Sequence, residues 1–355
     1  MTPNRGHLTL LAVCTAVLVC IALHFGRVIL APVAFGIFVV AVAWPVQATL
    51  QKRLPRLLAL LITVVAVAVV LTGLGTMIGW GFGRAARWLI ADTARFQAMY
   101  QQATVWLEGH GFAVTGVFSD MLSPSWMVGA IQTVASRLQS VASFSVVALV
   151  FLILGLLEVE DTGRKLVAIG AERLVRAGAA TAAKLQTYML VRTVMSVITG
   201  ALVSGFAVAI GLPLYAEWGV VAFALNYIPF IGPFVATLAP TLFALAHFQS
   251  WETMLAVFAS LNLIQFVVGS YLEPRVAGSR LSLSPFVVLL AVFLWSFLWG
   301  IAGAFMGVPI VIAILTVCEQ YPRSRWVATL LAGEAPEETA AAETAAETAA
   351  KKTPS

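Results

Sequence analysis

Apolar residues come in long blocks along this chain rather than in short alternations. Leu8–Leu23, Val28–Val46, Leu57–Trp80, Val141–Leu157, Thr193–Leu212 and Thr253–Tyr271 each approach the length of a membrane span. A helix needs about 20 mostly apolar residues to cross the hydrocarbon, and it satisfies its own backbone there, so the blocks predict an all-α, polytopic bundle. Breaks between blocks carry recognisable stop signals: Trp44-Pro45, the basic loop with Lys52, Arg53 and Arg56, the acidic group Glu158, Glu160 and Asp161, and Pro213. Arg5 ahead of the first block imitates a signal peptide. No small-residue cleavage site follows and further spans begin at once, so the block reads as a retained first helix.

Two segments exceed one span. Trp218–Ala246 and Ser284–Cys318 would measure about 44 and 52 Å as straight helices, against roughly 30 Å of hydrocarbon. Both are broken near the middle, the first by Pro229, Gly232 and Pro233, the second by Gly300-Ile-Ala-Gly303 and Pro309. Either each is one long kinked span, giving eight crossings, or each is a hairpin that leaves on the side it entered. Loop charge favours hairpins: they place the Arg275 and Arg280 loop on the cytoplasmic side and the uncharged His247–Trp251 loop outside.

Hydrophobicity falls from Gly83 to about Ser140, where Trp88, Phe96, Tyr100, Trp106, Phe112, Phe118 and Trp126 interleave with Arg84, Arg87, Asp92, Arg95 and Glu108. That mixture predicts amphipathic helices at the membrane interface, or a small extramembrane module. Thr162–Arg192 is rich in Lys and Arg and reads as a cytoplasmic helix. The expected organisation is therefore residues 1–82 as amino-terminal spans, 83–140 as the interfacial region, 141–322 as a carboxyl-terminal transport region with broken helices, and 323–355 as a cytoplasmic tail ending in a low-complexity Glu/Thr/Ala repeat.

Composition narrows the chemistry. Of the 355 residues 61% are hydrophobic and 10% charged, well below the charge content of soluble domains, so the lipid bilayer is the main partner. The net charge of +5 is concentrated in loops, as topology signals are, and does not point to nucleic acid. Cys14, Cys20 and Cys318 have no metal-ligand spacing, His7, His24, His110 and His247 are scattered, and neither HExxH nor GxSxG occurs. An enzyme, a metal site and a bound cofactor are not expected. Absence of a Walker motif leaves an ion gradient as the energy source for any uphill transport.

Several residues stand out as candidates for binding a solute or ion. Asn226, just before the first break, can meet a hydroxylated solute, coordinate an ion through its amide oxygen, or cap carbonyls freed beside Pro229. Gly232 and Pro233 are expected at the hairpin tip. Asn262 and Gln265, three apart, share a helix face and are expected to look into the bundle, as a pathway lining or as interhelical glue. Glu273-Pro274-Arg275 offers a carboxylate for a proton or sodium ion with an arginine beside it, or an ion pair anchoring the loop. Gly303 and Pro309 mark the second break. Glu158, Glu217, Glu252, Glu273 and Glu319 all fall at predicted span ends, which argues against a proton relay built on a mid-membrane acid. Glycines at Gly75, Gly79 and Gly83 allow close helix approach and hence a homo-oligomer.

Four blocks in order, Asn226-Tyr-Ile-Pro-Phe-Ile-Gly-Pro233, Tyr271-Leu-Glu-Pro-Arg-Val-Ala-Gly278, Leu283-Ser-Pro285 and Gly300-Ile-Ala-Gly303 with Val308-Pro309, give the chain a specific likeness. It resembles the autoinducer-2 exporter family of bacterial membrane permeases over about residues 140–320, with the preceding spans agreeing in layout. The resemblance implies an inner-membrane, multi-pass permease that exports the quorum-sensing signal or another small solute, with sodium/proton exchange in some members. The expected function is a secondary transporter moving a small polar organic solute outward, coupled to protons or sodium. A cation/proton antiporter and a passive oligomeric pore or scaffold are the alternatives.

Overall fold

The computed structural model describes residues 5–91, 109, 124–277 and 283–333. Its helices are α1 (Arg5–Phe25), α2 (Arg27–Gln51), α3 (Arg56–Ala91), α4 (Pro124–Ala168), α5 (Glu172–Ala209), α6 (Tyr215–Leu225), α7 (Ile231–Phe248), α8 (Trp251–Phe266), a π-helical turn (Val267–Leu272), α9 (Glu273–Ala277), α10 (Pro285–Gln320) and, after a short 3₁₀ turn, α11 (Arg325–Leu331). Seven helices in the described part are long and apolar enough to cross a membrane, and the polytopic all-α expectation holds. Leu10–Phe25 and α6 are apolar but shorter.

Boundaries differ where an apolar run and a polar one share a single helix. The basic segment before Arg192 and the expected fifth span are one helix, α5, because nothing between them breaks the backbone. The interfacial stretch expected at 83–140 is entered by α3, which continues to Ala91, and left by α4, which begins at Pro124. Residues 92–108 and 110–123 of that stretch, and 334–355 of the tail, lie outside the described residues.

The chain divides into two compact units: residues 1–60, 150–191 and 275–355, and residues 61–149 and 192–274. In the first, Phe35, Phe38 and Phe305 pack ring against ring, with centroids 5.8–6.2 Å apart. Gly155 admits Val40, whose Cγ2 lies 2.6 Å from where a Cβ would be. Gln47, fully buried, donates from Nε2 to the Leu156 carbonyl at 3.2 Å, and Arg56 donates to the Leu157 carbonyl.

α10 is a hairpin rather than a rod. At Gly300 the backbone takes φ 65°, ψ −140°, a conformation open to glycine and not to a residue with a Cβ. A Cβ on Gly303 would run into the Trp295 carbonyl oxygen, and one on Gly307 would lie 2.9 Å from the Ala291 carbonyl oxygen. In an unbroken helix Ala291 and Gly307 would stand about 24 Å apart. The pairs Trp295 with Gly303 and Ala291 with Gly307 step away from Gly300 together, so the two halves run antiparallel. Residues 285–299 reach only about 22 Å, short of the hydrocarbon thickness.

The second unit contains the other hairpin, α6–α7. Trp218 near the start of α6 meets Phe243 near the end of α7, with ring centroids 5.2 Å apart. At the closed end a Cβ on Gly232 would overlap the Leu225 carbonyl oxygen. Trp218, Ala222, Ala236 and Phe243 form one buried cluster with Val203 and Ala207 of α5 and Val257 and Leu261 of α8. α5 and α6 touch through glycine: a Cβ on Gly200 would be 2.7 Å from the Gly219 carbonyl oxygen, and one on Gly219 2.8 Å from that of Gly200. Such backbone contact is how membrane helices gain packing where lipid supplies no hydrophobic drive.

The broken hairpin is not built quite as the sequence predicts. Gly232 and Pro233 do not form the tip. They lie in the first turn of α7, where Pro233 sacrifices no intrahelical hydrogen bond. The tip is Asn226–Phe230. Glu217 lies at a span end as expected, in the first turn of α6, and is buried there.

Candidate functional site

The reversal between α6 and α7 starts with a proline. Pro229 has no N–H, and the Ile228 N–H, which in a continuing helix would serve Ala224, donates to the Leu225 carbonyl at 2.9 Å. Phe230 then takes φ 63°, ψ −55°, and the Ile231 N–H reaches back to the Pro229 carbonyl at 2.7 Å. This is a γ-turn of the positive-φ kind, rare and strained for a residue with a side chain. Such strain costs about 1–3 kcal/mol and clusters at binding and switching sites.

Facing this turn is a polar stripe on α5. Arg192, Thr193, Ser196, Thr199 and Gly200 follow at the spacing that places residues on one helix face. Ser196 and Thr199 are fully buried, as is most of Asn226. Asn226 donates from Nδ2 to Ser196 Oγ at 3.3 Å, and the Tyr227 hydroxyl donates to Thr193 Oγ1 at 3.0 Å. Thr199 Oγ1 has no hydrogen-bond partner among the described residues. Four residues below Ser196 on the same face, Arg192 Nη1 meets Glu273 Oε2 at 3.2 Å, with both side chains largely buried. The stripe therefore links the two residues singled out on separate segments, Asn226 through Ser196 and Glu273 through Arg192. A buried set of hydroxyls, an amide and a compensated ion pair can hydrogen-bond a hydroxylated solute without demanding net charge from it.

Other predicted residues fall elsewhere. Pro229 and Gly232 are buried and shape the turn, and Pro233 is half-buried. Asn262 is exposed and donates to its own helix at the Phe258 carbonyl, 2.7 Å, so it does not look into the bundle as expected. The packed face of α8 is that of Val257 and Leu261, and Gln265 is half-buried at its side. Arg275 is exposed, and the Glu273 carboxylate meets Arg192. Gly303 and Pro309 are buried in the α10 hairpin, within the first unit.

Arg192, Thr193, Ser196, Thr199 and Tyr227 were missed by the sequence reading. Their signal was present: polar residues at i, i+4 and i+7 in an otherwise apolar span. A second pair also escaped it. Glu217, 5% exposed, meets Arg84 at 2.9 Å, and Arg84 also lies over the Trp80 ring, 5.8 Å from its centroid. No group of acidic, histidine or cysteine side chains fit for a metal ion occurs among the described residues.

Long apolar helices, one pair of them broken beside a buried polar stripe, make this a multi-pass membrane protein. The chain belongs to the AI-2E transporter family, whose sequence profile matches residues 11–323. It is 28% identical over 321 residues to the AI-2 transport protein TqsA of Escherichia coli K12, covering 89% of this chain and 92% of that protein. A putative transport protein of Haemophilus influenzae is 24% identical over 340 residues, covering 92% and 96%. The putative transport protein YhhT of E. coli K12 is 34% identical over a shorter stretch, 35% of each chain. Transport as the general role follows from the family; these relatives carry transport names, not enzyme names.

Proposed function

We propose that the protein is a secondary transporter of the bacterial inner membrane that exports a small, polar, hydroxylated solute, of the autoinducer-2 kind, at the expense of a proton or sodium gradient. The observation carrying this reading is the buried stripe of Ser196, Thr199 and Asn226 at a strained helix break, where the Thr199 hydroxyl lacks a partner among the described residues. Broken helices supply such sites in secondary transporters because freed backbone and side-chain groups converge there. The name of the E. coli relative, an AI-2 transport protein, supplies the cargo class. Alternating access rearranges the carboxyl-terminal half around this stripe.

Everted membrane vesicles containing the full chain test the reading. Labelled autoinducer-2 should accumulate against its gradient when a proton or sodium gradient is imposed. Asn226→Ala and Ser196→Ala should each lower the rate at least about tenfold at equal protein level, the order expected when a hydrogen-bonding site loses a partner. Downhill flux alone would identify a pore, and cation exchange without solute movement an antiporter. Either result overturns the proposal.

A further inference from the structure

Glu273 faces Arg192 only because the helix carrying it changes register. Counting from Val257 on the buried face of α8, Arg275 lies about five full α-turns farther on at 3.6 residues per turn. An uninterrupted α-helix would therefore bring Arg275 to the buried face and point Glu273 about 160° away from it. The structure has the opposite arrangement: Arg275 is exposed and Glu273 is drawn in against Arg192. The π-helical turn Val267–Leu272 accounts for this. The Glu273 N–H bonds to the Val268 carbonyl, five residues back, and one wide turn withholds about 100° of rotation from everything beyond it.

We propose that Val267–Leu272 is a register switch with two states, the π state seen here and an α state in which Glu273 leaves Arg192 and the side chain at 275 turns inward. π geometry is the rarer and weaker backbone arrangement, so something outside the turn holds it. The ion pair does: in this register the Glu273 carboxylate meets Arg192 Nη1 at 3.2 Å. A solute group that hydrogen-bonds Arg192 competes with Glu273 and releases the turn. The switch itself stands on helix geometry; only what throws it rests on the transport reading.

The test reads the register without reading transport. In a full-length, cysteine-free background, Arg275→Cys reports which way position 275 faces through its rate of reaction with a hydrophilic methanethiosulfonate. Adding Glu273→Gln weakens the hold on the π state, and the labelling rate should fall several-fold as the thiol spends time facing inward. Deleting Gly269 removes the extra residue, so an ordinary α-helix then keeps Glu273 toward Arg192 and position 275 outward. In that background Glu273→Gln should leave labelling unchanged. An unaltered labelling rate on Glu273→Gln with Gly269 present would show the π turn to be static and overturn the proposal, whether or not the deletion variant folds. Loss of autoinducer-2 flux in the vesicle assay bears on the transport reading alone.

Discussion

In the α6–α7 hairpin the chain reverses through Asn226–Phe230, with a proline that removes a donor and a phenylalanine held at φ 63°. In α10 it reverses at Gly300, which holds φ 65° without a side chain to strain. Tight packing behind each turn has the same cause, since Gly232 and Gly303 both lie where a Cβ would collide with a carbonyl oxygen of the opposite arm. What differs is chemistry. The first turn ends beside a buried polar stripe, whereas the fully buried residues around Gly303, such as Ala304, Met306 and Val308, are apolar. A strained residue with a side chain and a buried set of hydroxyls and an amide occur together in the first hairpin; at the Gly300 turn the strained position is a glycine, and the buried Trp299 beside it spends its indole N–H on the Leu23 carbonyl at 3.1 Å. That pairing is the ground for proposing the α6–α7 turn, rather than the Gly300 turn, as the binding region.

The largest effect should come from the shared feature. Gly232→Ala and Gly303→Ala each push a methyl group into backbone that cannot rotate away, at a cost of about 3 kcal/mol or more. Both variants should lose thermal stability in detergent and accumulate poorly; a normal melting temperature for either would mean its hairpin is more open than described.

A smaller, opposite-signed pair separates the two turns. Gly300→Ala should destabilise by about 1–3 kcal/mol, because alanine pays the conformational cost that glycine avoids. Phe230→Gly should leave stability unchanged or raise it by up to about 1 kcal/mol as the strain is relieved. Solute flux should nevertheless fall in Phe230→Gly, since the strained turn positions Asn226. Melting curves and vesicle flux on the two variants check the signs; destabilisation by Phe230→Gly would contradict the assignment of strain.

Ion pairs sharpen the contrast at the lowest amplitude. Glu217, in the α6 arm, is buried, while Glu319, near the end of α10, is 42% exposed and meets Lys184 at 2.7 Å. Arg84→Ala strands a buried carboxylate and should cost about 1–3 kcal/mol. Lys184→Ala removes a solvated pair and should change stability by about 0.5 kcal/mol or less. Glu217→Gln, which removes the charge and keeps the shape, should be milder than Arg84→Ala, and the order of the three melting temperatures is the measurement.

Much of this molecule was readable from residue order alone. Hydrocarbon demands long apolar helices and internal backbone hydrogen bonds, so block lengths announced the all-α bundle, and Pro229, Gly232, Gly300 and Gly303 announced two interruptions. Excess length over one span, together with two arginines in a loop, favoured hairpins, and both segments do fold back. Asn226 and Glu273 stood out because a polar residue beside a break in an apolar segment is costly unless it has a partner.

The partners were a different matter. Arg192 read as the last arginine of a basic cytoplasmic helix, and Ser196 and Thr199 lay unremarked in the span after it, because a hydroxyl can satisfy itself on its own helix and leaves no necessary trace in sequence. Asn262 shows the converse, a conspicuous polar residue that bonds back to Phe258 and faces outward. Periodicity assigns a face only while the turn keeps its 3.6-residue pitch, and the π turn at Val267–Leu272 breaks that count just before Glu273. Sequence by itself determined which segments are helical, where they break and that the chain belongs in a membrane, since those depend on local composition and backbone chemistry. Tertiary structure alone decided which polar groups meet, because that depends on helix register and on contacts between residues 30 to 81 positions apart.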